Sequence, residues 1–278
     1  MNELVSVYLP TYNRAELLER AINSVLSQTY KNIEIVVCSD NSTDNTDQLM
    51  AFFCDKYENI KYIKNIKNMG ACITRNNAIK LCSGYFITGL DDDDYFLPER
   101  IENFMLLSRV DRDLVLFSNC VVESKKKTIK KTYDITVDNV EVYKRNSIGN
   151  QVFCSKKTLF ESGLFDPELL MWQDKDLWIR VIDKNLIAVN SCKYDYVMDV
   201  SHDYDRISNV SELKLFNTVL SFISKYPKYK KMSSYLFVSA LGYNKLDIRF
   251  TDIISLFFNV DKKAKLSIVK ILLKRVLR

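Results

Sequence analysis

A single histidine, His202, stands among 278 residues. A Ser-His-Asp triad or a histidine-rich zinc site needs imidazole at fixed places, so its scarcity argues against both and leaves acid-base work to carboxylates. Glycine (six) and proline (four) are also few; with 47% apolar and 27% charged residues this argues against a disordered or fibrous chain. No apolar run approaches the ~18 residues that a membrane-spanning helix needs. Met1 leads after two polar residues into a strand-like segment, which predicts no signal peptide. The seven cysteines, at 38, 54, 72, 82, 120, 154 and 192, include no C-x-x-C pair, and several fall in apolar runs. Reduced, mostly buried thiols in a cytosolic protein are expected. Charge of one sign is lacking too. The net charge is +5, with bases interleaved among acids over most of the length, which predicts no nucleic-acid partner.

What is present is an alternation. Short β-branched runs at 4–9 (LVSVYL), 33–38 (IEIVVC), 60–63, 85–90 (YFITGL) and 114–122 alternate with segments of helical period. The helices are expected at 15–27, from the Asn41-Ser42-Thr43-Asp44 turn to about 56, at 70–82 and at 98–109, with Pro98 in the first turn of the last. This is the pattern of βα units around a parallel sheet, in a chain long enough for one large α/β unit with a helical appendix. Ligands of such sheets bind beyond the carboxyl ends of the strands, so the polar loops after Leu9, Cys38 and Leu90 are expected to meet at one crevice. Residues 125–131, with five lysines, read as a hairpin or a mobile loop in water. Further on, a helix is expected over 172–181, a strand over 186–197, and helices alone from about 210.

One crevice loop is acidic, with Asp91, Asp92, Asp93 and Asp94 directly after the fourth strand. A solvated turn is the plain alternative. Four neighbouring carboxylates repel one another, however, and a cation would relieve that repulsion. On an extended strand end the first and third side chains project to one side, so Asp91 and Asp93 could share an ion while Asp92 points away. Oxygen ligands of this kind suit Mg²⁺ or Mn²⁺.

Four motifs occur in order: Val7-Tyr8-Leu9-Pro10-Thr11-Tyr12-Asn13-Arg14; Val36-Val37-Cys38-Ser39-Asp40-Asn41-Ser42-Thr43-Asp44; Asn68-Met69-Gly70 through Arg75-Asn76; and Gly84-Tyr85-Phe86-Ile87-Thr88-Gly89-Leu90 with the four aspartates. Together they resemble the family-2 glycosyltransferases over about residues 3–210. The resemblance implies an α/β GT-A fold, a Rossmann-like nucleotide-binding α/β/α sandwich with a mostly parallel central sheet, followed here by a C-terminal helical extension. It implies metal-dependent, inverting transfer of a hexose or N-acetylhexosamine from a UDP-sugar to a saccharide, of the polyprenyl-diphosphate-linked kind in bacterial O-antigen, capsule or other surface polysaccharide. By the same resemblance Pro10, Thr11, Tyr12 and Arg14 cradle base and ribose, with Tyr12 available for stacking. Asp40 accepts from the uracil ring, with a local Asx turn as the other reading. Arg75 lies near the uridine or the phosphates, with a surface salt bridge as the other reading. Asp91 and Asp92 fall on the donor, Asp93 binds the ion together with Asp91, and Asp94 supports them. His202, in a late H-x-x-x-R-I-S segment, lies near the metal or diphosphate and is counted with the metal ligands, although a lone histidine is more often structural. Arg206, on a mobile flap, contacts the diphosphate.

A departing diphosphate builds negative charge that a divalent ion can absorb. The attacking hydroxyl needs a base on the opposite face of the anomeric carbon. The family's E-D-x-D-L-W-x-R segment reads Gln173-Asp174-Lys175-Asp176-Leu177-Trp178-Ile179-Arg180, and the resemblance assigns the base to Asp174. Gln173 stands where Glu is usual. Asp176 competes with Asp174, but the two lie about 200° apart around a helix, so only one can face the site. Trp172 and Trp178 offer an acceptor platform, with Trp178 on the apolar face suited to the core.

The expected division is a catalytic unit over 1–208, with a nucleotide-sugar half (1–122) and an acceptor half (123–208), and a helical region over 209–278. Residues 262–278 (KKAKLSIVKILLKRVLR) form a basic amphipathic helix without acids. It suits the interface of an anionic membrane or packing on the domain with its basic face in water. The first reading places the protein in the cytoplasm, peripheral on the inner face of the cell membrane; the pattern fixes no oligomeric state. Two competing readings remain. A nucleotidyltransferase would need a Gly-rich basic loop where Pro10-Thr11-Tyr12-Asn13-Arg14 stands, and a non-catalytic sugar-nucleotide-binding module would be expected to lose Asp91, Asp93 or Asp174.

Overall fold

The structure is a computed structural model and describes residues 2–146, 148, 152–169, 171–182, 187–204, 211–241 and 258–276. Strands β1 (Val5–Thr11) and β2 (Ile33–Ser39) are buried at every residue, as parallel strands covered on both faces must be. β1 pairs in parallel with β2 and with β4 (Phe86–Gly89), and β2 with β3 (Ile60–Lys64). Beyond β4 the sheet continues through β9 (Phe153–Ser155), antiparallel to both β4 and β6 (Val115–Glu123). Next come β10 (Ala188–Asp199), parallel to β6, and β5 (Tyr95–Phe96), antiparallel to β10. The full order is β3-β2-β1-β4-β9-β6-β10-β5. The basic stretch is a hairpin: β7 (Thr128–Lys131) runs antiparallel to β6 with all four residues exposed. β8 (Thr136–Val137) pairs with β10.

Side chains alternate between the two sheet faces. Val5, Val7 and Leu9 meet Leu18, Ile22 and Val25 of α1 (Ala15–Leu26), Met50 and Phe53 of α2 (Thr46–Lys56), and Phe104 of α4 (Arg100–Ser108). Tyr8, Val36 and Cys38 face the other way. They belong to a core shared with Ile79 of α3 (Ala71–Leu81), Val142 of α5 (Asn139–Lys144), Leu159 of α6 (Lys156–Glu161), Trp178 of α7 (Gln173–Ile182), Phe222 of α8 (Glu212–Lys225) and Leu236 of α9 (Ser233–Leu241). The result is the expected α/β/α sandwich. Trp178 is core and five of the seven thiols are buried. Pro98 sits in the turn before α4 instead of inside it. The last helix, α10 (Lys262–Val276), packs through Ala264 and Ile268 against Val238, with Val260 just before it in the same cluster.

At the amino ends of the strands, Glu34 is a buried tie. It accepts hydrogen bonds from Ser6 and from the Ser83 and Gly84 amides, and pairs with Lys61 at 2.8 Å. Burial alone would raise its carboxyl, but the bonds from Lys61, Ser6 and Ser83 prevail and hold it at about 2. A Cβ on Gly84 would come within 2.6 Å of Ser6 Oγ and 2.7 Å of Leu4 O, so only glycine permits this approach. β1, β2 and β4 are thereby held in register, and their carboxyl ends come out together.

Candidate functional site

The loops leaving β1 and β2 are stitched to each other. Asn13 (φ 54°) and Asn41 (φ 63°) take the left-handed backbone that asparagine tolerates. Asn13 Oδ1 accepts from Thr43 N at 2.7 Å, and Asn13 N donates to Ser42 Oγ at 3.0 Å. Asp44 accepts from the first amides of two helices, Ala15 N (3.0 Å) and Thr46 N (3.1 Å), so one carboxylate serves both helix dipoles. Asp40 is not an Asx turn, because its partners are distant in sequence. Oδ1 accepts from Asn65 Nδ2 (2.8 Å) and Met69 N (2.7 Å), and Oδ2 from Gly70 N (2.8 Å). A carboxylate has about four lone-pair sites, so these three bonds leave capacity on Oδ2 for a donor in the cavity that Asp40 lines. Tyr12, 45% exposed, lies on the same wall.

The four aspartates do not form an extended strand end. Asp94 N donates to Asp91 O at 3.1 Å and closes a four-residue turn. The pair expected from strand alternation therefore becomes a trio: Asp91, Asp93 and Asp94 each bring an oxygen within 4.8 Å of the others. Asp92 points away, accepting from Thr11 Oγ1 (2.8 Å) and Arg14 Nη1 (3.0 Å), and burial raises its carboxyl to about 6 against the pull of Arg14. Asp94 is fully buried beneath Tyr196 OH (2.6 Å) and Asp199 N (3.0 Å), and burial together with Asp93 and Asp91 pushes its carboxyl well up.

Two guanidinium groups already relieve much of the repulsion in the turn, with an imidazole beside them. Arg14 Nη1 lies 3.3 Å from Asp93 Oδ2, His202 Nε2 lies 3.2 Å from the same oxygen, and Arg75 Nη2 pairs with Asp91 Oδ1 at 2.8 Å. Repulsion alone therefore does not demand a metal ion. The fit to a divalent cation rests instead on the donor set, three converging carboxylates with an imidazole beside them. Arg75 is not a surface salt bridge, since its side chain is only 12% exposed. Burial works against its charge, but Asp91 holds the guanidinium above its ordinary value. Its Nη1 reaches Gln173 Oε1 at 3.4 Å, so one guanidinium spans from the acidic turn to the start of α7.

At that start Gln173 donates to Leu169 O (3.0 Å) while accepting from Arg75, a double role that a glutamate cannot fill. Asp174 accepts from Asn146 Nδ2 and lines the cavity; burial raises its carboxyl, with Arg75 pulling the other way. Asp176 is fully buried and turned away, bound by Arg180 Nη2 (2.6 Å), Tyr226 OH (2.6 Å) and Lys225 Nζ (2.7 Å). Of the two aspartates, packing thus leaves Asp174 at the cavity. Trp172 is half-buried with its ring 5.3 Å from that of Phe222, and it lines the cavity. The whole space is about 1030 Å³ and includes Pro10, Asp40, Asp93, Asp174 and, from α9, Ser239. Arg206 lies outside the described residues.

Some neighbours of the site carry no motif. Arg20 donates to Asp93 O (2.6 Å) and pairs with Asp199 Oδ2 (2.6 Å), clamping the turn to β10. One arginine on an amphipathic helix gives no sequence signal of such a role. Asn146 and Tyr204, whose ring lies 5.8 Å from the Arg14 guanidinium, are equally silent.

Comparison with known proteins bears on this arrangement. Residues 6–166, more than half of the chain, match the model of glycosyl transferase family 2. The putative colanic acid biosynthesis glycosyl transferase WcaA of Escherichia coli K12 is 39% identical over 188 residues, 65% of this chain and 67% of that protein. The Escherichia coli UDP-Glc:alpha-D-GlcNAc-diphosphoundecaprenol beta-1,3-glucosyltransferase WfaP is 38% identical over 197 residues, 68% of this chain and 74% of that protein. Two other relatives, both from Rickettsia, are longer, and the match spans only 31% of each. In fold, the chain is similar to S. aureus TarS 1–349 in complex with UDP-GlcNAc, with a TM-score of 0.73 and 18% identity over 94% of this chain and 82% of that one. Four ordered motifs, a sheet whose strand ends converge on an acidic turn, and a matching family model lead to one conclusion: the chain belongs to glycosyl transferase family 2.

Proposed function

We propose that the protein is an inverting transferase that moves a hexose or N-acetylhexosamine from a UDP-sugar to a lipid-diphosphate-linked saccharide during assembly of a bacterial surface polysaccharide. One observation carries the reading. Two sets of carboxylates, the Asp91–Asp93–Asp94 group and Asp174, line one cavity and are joined through Arg75 and Gln173. The first set suits a divalent cation, which would stabilise an anionic leaving group, and the second suits a proton to be removed; single displacement needs no further nucleophile. The donor and acceptor classes are supported by the substrates for which WfaP is named and by the UDP-GlcNAc complex of TarS.

In this reading Tyr12 stacks on the base, with Pro10 and Thr11 shaping its loop, and Asp40 accepts from a uracil N–H. Arg14 and Arg75 offer charge to the diphosphate, joined by Arg206. Asp92 positions Arg14. Asp93, with Asp91 and His202 beside it, would hold Mn²⁺ or Mg²⁺, which when bound stabilises the charge of the departing diphosphate. Asp174 removes the acceptor proton. Residues 1–208 form the catalytic unit, 1–122 serving the donor and 123–208 the acceptor, and 209–278 form the helical extension. A thermal-shift screen of UDP-, GDP- and TDP-sugars with Mn²⁺ tests the donor. Only the UDP series is expected to raise the unfolding temperature, by several degrees, corresponding to about 2.7 kcal/mol at a hundredfold excess over Kd. A preference for GDP-sugars would overturn the role given to Asp40.

The tail fits a peripheral membrane contact on the inner leaflet. Among the described residues no helix is long and apolar enough to cross a membrane. α10 uses Ala264 and Ile268 for packing, yet exposes Leu266 (55%) and Val269 (40%) among Lys262 and Lys270. Exposed apolar side chains beside lysines suit an anionic interface. Deleting 262–278 is expected to abolish co-flotation with vesicles containing anionic lipid. Undiminished flotation would refute the contact.

A further inference from the structure

Lys175, one residue past Asp174, lines the same cavity and is only 2% exposed. Its ammonium makes no hydrogen bond or ion pair among the described residues. Three aromatic rings surround it instead, with Nζ 5.0 Å from the centroid of Trp172, 5.9 Å from Tyr143 and 6.0 Å from Phe222. Other buried cations are treated differently. Arg100 is paired with Asp195 at 2.8 Å and Arg75 with Asp91 at 2.8 Å. Ring faces attract an ammonium but offer its three N–H donors no oxygen acceptor, so the protein leaves those donors to whatever occupies the cavity. Burial accordingly pushes the Lys175 ammonium down to about 7, with Asp174 acting in the opposite sense. The group sits on the helix that supplies Asp174, away from the strand-end loops assigned to the nucleotide.

We propose that Lys175 is an acceptor-binding residue that recognises an anionic oxygen group, a phosphate ester or a carboxylate, carried on or next to the sugar whose hydroxyl reacts. The proposal rests on the transferase reading above. An anion entering the cavity gives the ammonium the oxygen partners it lacks and favours its charged form. A neutral acceptor leaves those donors unmet, so the site discriminates by charge. The half-buried ring of Trp172, on the same cavity wall, offers the sugar a flat surface while the anion meets Nζ.

The test compares three acceptors built on one sugar: a neutral alkyl glycoside, an alkyl-linked diphosphate and a uronate glycoside. kcat and KM are measured for each with wild type, Lys175→Met and Lys175→Arg. Wild type is expected to prefer an anionic acceptor, and which of the two it prefers identifies the source of the charge. In Lys175→Met the ratio of anionic to neutral kcat/KM is expected to fall roughly thirtyfold, mainly through acceptor KM. Arg is expected to recover most of it. An unchanged ratio, or a wild type without preference, overturns the proposal while leaving the transferase reading intact. Equal loss on all three acceptors with a lowered unfolding temperature also overturns it, since that marks a packing residue. If wild type transfers to no acceptor at all, the transferase reading fails, and the proposal with it.

Discussion

Replacing Asp174 by Asn is expected to stop sugar transfer while sparing donor binding, with kcat lower by about a thousandfold. Asn keeps the shape and can still accept from Asn146, but it cannot take a proton. The pH dependence sharpens the expectation. Burial raises the Asp174 carboxyl in the folded protein, so the acid limb of wild-type kcat should lie above the ordinary carboxylate value of about 4, and the rate should fall as pH drops through that raised value. The stability consequence has the opposite sign to that of a salt-bridged acid. A carboxyl raised by folding contributes stability at low pH and loses it as pH rises, so Asp174→Asn should unfold at or above the wild-type temperature at neutral pH. Asp176→Asn is the contrast: it removes the buried charge that pairs with Arg180 and Lys225, which keep Ser162 O, Leu164 O and Asp166 as partners, and should cost about 2 kcal/mol of stability. Calorimetry beside single-turnover transfer separates the two variants. Strong residual transfer by Asp174→Asn would remove Asp174 from the role of base.

Asp93→Ala is expected to eliminate the Mn²⁺-dependent part of donor binding. Asp93 is where the acidic turn meets both Arg14 and His202, and it shares with Asp91 and Asp94 the only group of three clustered His, Cys, Asp or Glu ligands among the described residues. In wild type, UDP-sugar with Mn²⁺ should stabilise the fold by about 2.7 kcal/mol at a hundredfold excess over Kd; in the variant the increment from Mn²⁺ should vanish. The readout is an unfolding temperature and needs no turnover. Asp94 is an unsuitable substitute for this experiment, because its carboxylate ties Tyr196 and the Asp199 amide, and its loss would disturb the turn itself. A Mn²⁺ increment unchanged in Asp93→Ala would move the ion elsewhere.

Much of this site was readable beforehand because its residues sit at strand ends and on a helix face. Residues 4–9, 33–38 and 85–90 have the apolar density of buried parallel strands, and a polar residue directly after such a strand must lie at the sheet's carboxyl edge. That placed Tyr12, Asp40 and Asp91 on one rim. The three-residue β9 lies below any readable period and holds its place only by pairing with β4 and β6. The acidic run keeps Asp91 and Asp93 together as strand alternation implies, but a hydrogen bond from Asp94 N to Asp91 O bends the chain into a turn and adds Asp94 to the group, which no local period signals.

By itself, then, the sequence determined the sandwich, the rim on which the strand-end loops meet, and the short list of carboxylates there, since periodicity and chain position are local properties. The tertiary structure alone decided which carboxylates on that list face the cavity and which are tied up elsewhere. Asp176 is withdrawn by Arg180, Tyr226 and Lys225, while Asp174 is left facing the cavity. Arg75 joins the acidic turn to Gln173, 98 residues beyond Arg75, and Arg20 clamps that turn to Asp199 of β10, 179 residues beyond Arg20. The physical reason is that a carboxylate's role depends on its partners and its burial, and these are set by contacts between segments whose spacing along the chain carries no record of them.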